Sequence, residues 1–155
     1  MIFDSDPISR HVRRVMRRLP DSDQALVLRT DFSEQATWNA VRAMILEPVG
    51  PYRFYASVEF VDDPEYRDAS TAALLDMARR SAFRTFLIVA DRLTMTQPEH
   101  PLLVMDLNRE PGREFRALPS QIQSIENNLS IANMDFAEFA NAVDADGVFR
   151  GFPQF

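Results

Sequence analysis

Apolar residues recur at Ile8, Val12, Val15, Met16 and Leu19, the i, i+4, i+7, i+8, i+11 spacing of one helical face. Arginines fill the opposite side and Pro20 ends the run, so the spacing predicts a helix over Ile8–Leu19 and a short hinge over 20–24. The pattern then changes character. ALVLR at 25–29 is a short apolar run of the kind found in buried strands, and Ser33 and Glu34 open a helix, TWNAVRAMIL, that stops before Pro48. FYASVEFV at 54–61 alternates and predicts a second strand, which ends in Asp62 and Asp63 before Pro64. Ser70 is placed to cap a third helix, TAALLDMARRS, and TFLIVA at 85–90 is continuously apolar, as a central strand covered on both faces would be.

Two further strands are expected at LLVMDL (102–107) and REFRAL (113–118), joined by NREPG, a turn of hairpin length. Helical patterning returns over Ser120 to about Ala132 and over Asp135 to about Val143, with Asp135 as a cap and Gly147 closing the stretch beyond. The phenylalanine-rich end, GVFRGFPQF, is expected to fold back onto the core. Strand-helix-strand-helix-strand order implies parallel pairing through right-handed crossovers, and the later hairpin adds an antiparallel portion. The expected fold is therefore α/β: one domain over 25–155 with a mixed, partly parallel sheet flanked by helices, an antiparallel hairpin and a helical C-terminal third. An arginine-rich helix and hinge over 1–24 precede it.

Bulk properties narrow the function classes. A chain of 155 residues with 46% hydrophobic and 26% charged residues can bury a single continuous core. No run approaches the roughly 20 apolar residues that span a bilayer, so no membrane role is expected. The absence of cysteine excludes thiol catalysis, disulfides and Cys-based metal sites. With no recognisable secretory signal, it also leads us to expect a cytoplasmic protein. A formal net charge of −6 argues against nucleic acid as a general partner, because phosphate contacts need clustered positive charge. The charge is uneven. Arg10, Arg13, Arg14, Arg17 and Arg18 face only Asp4 and Asp6 over residues 1–18, a local +3 that leaves −9 on the remainder. All 17 basic residues are arginine. Genome base composition accounts for that usage most simply; the functional alternative is a surface that pairs carboxylates through the planar guanidinium fork.

From Ala25 onward the chain resembles a bacterial domain family of unknown function. The residues that carry the resemblance are LRTDF at 28–32, VEFVDDP at 58–64, ADR with the nearby PEHPLLVMDL at 98–107, SIENNLSIANMDFAEFA at 124–140 and DADGVFRGF at 144–152. The resemblance implies no activity, cofactor or catalytic residue.

Three constellations are candidates for chemistry. Asp31, Asp62, Asp63 and Asp91 each follow a predicted strand, and the C-terminal ends of parallel strands share the edge where α/β sheets bind ligands. Carboxylates gathered there could hold magnesium, which could in turn polarise a phosphoryl group or activate water. Against this, aspartate is common after strands because it caps the next helix or makes an Asx turn, and Arg29 and Arg92 lie close by for ion pairing. Glu126, Asn127, Asn128 and Asn133 form a polar run in a predicted helix, where asparagine is a mediocre helix former. They suit either a ligand or the backbone edges of a neighbouring loop. Asp144 and Asp146 resemble part of a calcium loop, but Ala142 and Pro153 occupy the positions that need carboxylates, so a tight turn is expected. With two histidines, His11 and His100, no histidine-rich metal site is possible, and none of the four glycines forms a phosphate-cradling loop.

Two functions from different classes follow. The first is a non-enzymatic protein-interaction module, of the inhibitor or immunity type by analogy, that recognises a protein partner through its acidic surface with the Arg10–Arg18 face as a second contact. The second is a divalent-metal-dependent hydrolase or phosphoryl-transfer enzyme built on the strand-end aspartates.

Overall fold

A computed structural model describes residues 17–153 of the chain. Six strands form one sheet: β1 (Ala25–Arg29), β2 (Val58–Val61), β3 (Phe86–Ala90), β4 (Leu102–Asp106), β5 (Glu114–Ala117) and β6 (Val148–Phe149), in the order β2-β1-β3-β4-β5-β6. β1 runs parallel to both β2 and β3, β4 is antiparallel to β3 and β5, and β6 is parallel to β5. The helices are α1 (Gln35–Leu46), α2 (Thr71–Arg79), α3 (Arg92–Thr96), α4 (Ile122–Ser130) and α5 (Phe136–Ala140). Short 3-10 turns cover Pro64–Tyr66 and Pro119–Gln121. This is the expected single-domain α/β fold with a mixed sheet.

Strand side chains alternate between two cores, as a period of two requires. On one face Val27, Ile88, Val104 and Phe115 pack under Trp38, Val41 and Ile45 of α1, under α4 and α5, and against Phe149. On the other, Leu26, Leu28, Leu87, Val89, Leu103 and Met105 meet Leu74 and Met77 of α2, Tyr66 and Leu19. α1 and α2 thus lie on opposite faces, and the chain changes winding direction between β1 and β3. The C-terminal ends of β1, β2, β3, β5 and β6 all point to the same edge, and that switch point is where an open α/β sheet offers a crevice.

Several expectations need correction. The second strand begins at Val58, four residues later than the alternation from Phe54 suggested. Phe54 instead bridges Val49 across a tight loop with Gly50 (φ 74°) and Arg53 (φ 54°) in the left-handed region, which turns the chain before it can extend. α3 and β6 were not foreseen, because five- and two-residue elements show no periodicity. The C-terminal helices are also shorter than their patterns, because Pro119–Gln121 tightens into a 3-10 turn and Ala132 (φ 54°) reverses the chain after α4. The predicted first helix falls outside the described residues up to Met16, as do Arg10, Arg13 and Arg14; Arg17–Leu19, its expected last residues, are not helical. Leu19 is buried on the α2 face, its amide donating to Ser81 Oγ at 2.7 Å, and Arg84 donates to the carbonyls of Pro20, Ser22 and Gln24. Among the described residues no helix is long and apolar enough to cross a membrane.

Candidate functional site

The four strand-end aspartates do share one sheet edge, but each is engaged by a different internal partner. Asp31 Oδ1 accepts from the Ser33 amide at 2.9 Å and from Ser33 Oγ, the Asx turn that starts α1. Asp62 pairs with Nη1 of Arg29 at 3.2 Å. Asp63 caps the 3-10 turn by accepting from the Glu65 amide at 3.0 Å, and pairs with Arg17. Arg17 also lies over the Tyr66 ring at 4.3 Å, and Tyr66 Oη donates to the Arg18 carbonyl at 2.9 Å. The candidate partner-surface residues Arg17 and Arg18 therefore serve in part to fasten the chain's entry to this edge.

Asp91 has the densest set of partners. Its side chain accepts from the Thr94 amide in a capping box that opens α3. Arg116 of β5 grips it with a two-pronged fork, Nη1–Oδ1 at 2.8 Å and Nη2–Oδ2 at 2.7 Å. Sequence proximity had suggested Arg92; the partner comes from 25 residues away because β5 carries Arg116 to the same edge. Burial pushes the Asp91 carboxyl up, but the Arg116 bonds and charge, with the Thr94 amide, outweigh it and hold the group below the usual carboxylate range. A depressed folded-state pKa stabilises above the unfolded value of about 3.9 and loses that contribution as pH falls through the folded one. Asp91→Asn keeps a competent N-cap and removes the ion pair, so it is expected to cost about 2 kcal/mol at pH 7. Thermal unfolding at pH 7, 5 and 3 checks this: the gap between wild type and variant should hold from pH 7 to 5 and narrow at pH 3. A gap unchanged at pH 3 would mean that the pair contributes nothing.

Arg29 is buried and central to the crevice. Its Nε donates to the Asp31 carbonyl and Nη1 to Gln35 Oε1, both at 2.9 Å, while the guanidinium lies 4.3 Å from the Phe32 ring centroid and 5.4 Å from that of Trp38. Further along the edge Arg150 takes three carboxylates at once: Glu99, Asp144 and Asp146, each with a contact at 2.7 Å. Its hydrogen bonds hold Glu99 and Asp146 below the usual carboxylate range. Asp144 and Asp146 flank a tight turn in which the Gly147 amide (φ 82°) donates to the Asp144 carbonyl, so the calcium-like pattern serves the turn. Among the described residues no group of three or more His, Cys, Asp and Glu side chains is arranged to hold a metal ion.

The polar run on α4 splits into two local tasks. Buried Glu126 accepts from the Ser57 amide at 3.2 Å and from Ser130 Oγ at 3.3 Å, tying α4 to the segment before β2. Asn128 donates to the Ser124 carbonyl at 2.8 Å, Asn133 donates to Asn128 Oδ1 at 2.9 Å, and the Asn127 carbonyl receives the Ile131 amide. These bonds satisfy the helix end and the reversal after it. His100 sits at φ 51° with Nδ1 2.9 Å from the Thr94 carbonyl.

The feature that sequence reasoning missed lies at the opposite end of the sheet. Tyr52, Phe54 and Tyr55 are 81%, 56% and 60% exposed on the loop between α1 and β2. Val49 and Phe54 exchange two backbone hydrogen bonds that fix this loop, and the Tyr52 and Phe54 rings are 6.1 Å apart. Leu46, Phe83 and Ile131, also exposed, lie at the same end, at the last residue of α1, just before β3 and just after α4. The Gly50-Pro51 pair was the available signal for a turn here, but the alternating FYAS read as strand.

No curated protein matches the chain significantly. A family model described as a domain of unknown function, DUF6924, matches residues 24–152. That span takes in every strand and helix described above, and the chain belongs to this family.

Proposed function

We propose that the chain is a protein-interaction module rather than an enzyme, and that it meets its partner through the aromatic end of the sheet. The observation that carries this reading is the exposure of Tyr52, Phe54 and Tyr55 on a loop held by its own backbone bonds. Aromatic side chains on a pre-set loop supply large contact area at little entropic cost, and tyrosine is enriched among residues that dominate binding energy. Engagement of the strand-end aspartates by Ser33, Arg29, Arg17 and Arg116 counts on the same side, because a magnesium site would have to displace those partners first. The chain's net charge of −6 supplies the acidic surface around that contact, in the manner of an inhibitor or immunity protein, and the arginines of the Arg10–Arg18 segment are a second contact in this reading.

Site-specific photo-crosslinking tests the reading. A benzoylphenylalanine at position 52 should capture a discrete protein species, and the same probe at Thr96 on the far edge should not. No adduct at 52, or the same adducts at both positions, would sink the proposal. Calorimetric titration with magnesium and manganese addresses the metal-dependent alternative. We expect no saturable heat, whereas a saturable 1:1 isotherm lost in Asp62→Asn or Asp91→Asn would favour the enzyme.

A further inference from the structure

A cleft of about 300 Å³ opens at the aromatic end between the C-terminal end of α2 and the turn joining β4 to β5. Leu75, Leu107 and Pro111 form its apolar walls, and Phe83, 79% exposed, stands at its mouth. Two arginines, Arg79 and Arg84, also line it, with Ala78 and Ser81. Several other guanidinium groups in this protein close on carboxylates: Arg17 on Asp63, Arg29 on Asp62, Arg80 on Asp76, Arg113 on Glu110, Arg116 on Asp91. Among the described residues, neither Arg79 nor Arg84 has a carboxylate within ion-pair distance. Arg84 is half-buried and held by the neutral carbonyls of Pro20, Ser22 and Gln24, which orient the group without cancelling its charge. Burial costs it hydration, offset only at longer range by Glu59 and Asp21.

An apolar hollow with two uncompensated guanidiniums on its rim is complementary to one kind of occupant. We propose that this cleft docks an acidic segment of a partner protein, an apolar side chain entering between Leu75, Leu107 and Pro111 while a neighbouring carboxylate meets Arg79 and Arg84. The Arg79 fork matches a carboxylate in shape as well as charge. Arg84, whose Nη atoms serve three carbonyls, adds its positive charge beside it, and Phe83 supplies a flat apolar surface against which the entering side chain rests. A protein segment fits better than a free metabolite. Phe83 and Arg79 border the cleft from solvent, so it cannot enclose most of a small ligand's surface. The chain's net charge of −6 opposes an acidic partner at long range, so recognition here is local, and salt should weaken it. The inference rests on the interaction-module reading and adds the partner's chemistry to it.

The test is fluorescence anisotropy with the full chain and a labelled Glu-Leu-Phe-Asp-Glu peptide, beside its uncharged Gln-Leu-Phe-Asn-Gln counterpart. Saturable binding of the acidic peptide is expected, about tenfold weaker for the uncharged one and about tenfold or more weaker in Arg79→Glu, a loss of roughly 1.4 kcal/mol. Arg79 is exposed in the last turn of α2, so Arg79→Glu should lower the melting temperature by only a few degrees, through the helix dipole, and leave the chain folded. Phe83→Ser gives a second, exposed lesion with the same expected loss of binding. Equal binding of both peptides, unchanged binding in both variants, or full displacement by inorganic phosphate at matched ionic strength would overturn the proposal. If the peptide fails while position 52 crosslinks its partner, the cleft assignment falls and the module reading stands. If position 52 captures nothing while the peptide still binds the cleft, it is the aromatic-loop reading that falls.

Discussion

Arg29→Ala is expected to destabilise the protein by about 3–4 kcal/mol, while Asp62→Ala, its ion-pair partner, should cost about 1–2 kcal/mol. The asymmetry follows from where the two groups sit. The Arg29 side chain is 2% exposed and that of Asp62 41% exposed, so removing Arg29 empties a filled space and leaves Asp62 hydrated. Removing Asp62 leaves the buried guanidinium without its carboxylate but with its two other acceptors, and with water able to enter where the half-exposed carboxylate stood. The guanidinium also serves the Asp31 carbonyl and Gln35 Oε1, two acceptors from different elements, and packs on Phe32. Losing it therefore uncouples the end of β1 from the start of α1. Arg29→Lys should recover little, because a single ammonium cannot reproduce a fork aimed at three acceptors. Urea denaturation gives the measurement, as a midpoint shift at unchanged slope. Equal losses for Arg29→Ala and Asp62→Ala would mean that the ion pair itself, and not the buried architecture, holds this edge.

The same crevice shows what was legible in the sequence and what was not. β1, β3 and β4 could be read because each is a run of five residues buried on both faces, and α1 because Trp38, Val41 and Ile45 repeat at helical spacing against that sheet. A shared edge for Asp31, Asp62 and Asp91 followed from strand order alone. Their partners did not, because a carboxylate's nearest guanidinium is set by sheet register rather than by sequence distance. Arg116 reaches Asp91 only because β4 and β5 fold back antiparallel, and Arg150 reaches Glu99 only because β6 adds to β5. The aromatic loop was hidden for a different reason. Phe54 and Tyr55 continue the alternation of β2, and nothing in that pattern distinguishes a half-buried strand from a turn whose rings face solvent. The cleft between α2 and the β4–β5 turn is a tertiary surface, assembled from segments more than 20 residues apart.

Phe149→Ala is expected to cost about 3–5 kcal/mol, which would place the last described strand among the most consequential parts of the fold despite its two residues. Phe149 is fully buried, and its ring meets Phe139 edge-on at 5.3 Å, Phe152 at 5.0 Å and Phe115 at 6.5 Å. Truncation removes a ring from a cluster to which α5, β5 and the C-terminal segment all contribute, and the helices around it are pinned by the sheet, so the space cannot fully collapse. Phe152 offers the internal control. It touches both Phe139 and Phe149 but is 42% exposed, so Phe152→Ala should cost about 1 kcal/mol. The double variant Phe139→Ala/Phe149→Ala should lose less than the sum of its parts, with a coupling of about 0.5–1.5 kcal/mol from the edge-on pair. Because Val148 and Phe149 carry the pairing of β6 to β5, the lesion should also release Arg150 from Glu99. Amide hydrogen exchange would then show protection lost at Arg116 and Leu118, whose amides donate to Gly147 and Phe149, before it is lost in β3. Protection that falls uniformly across the sheet would mean instead that β6 and its phenylalanines unfold only with the whole domain.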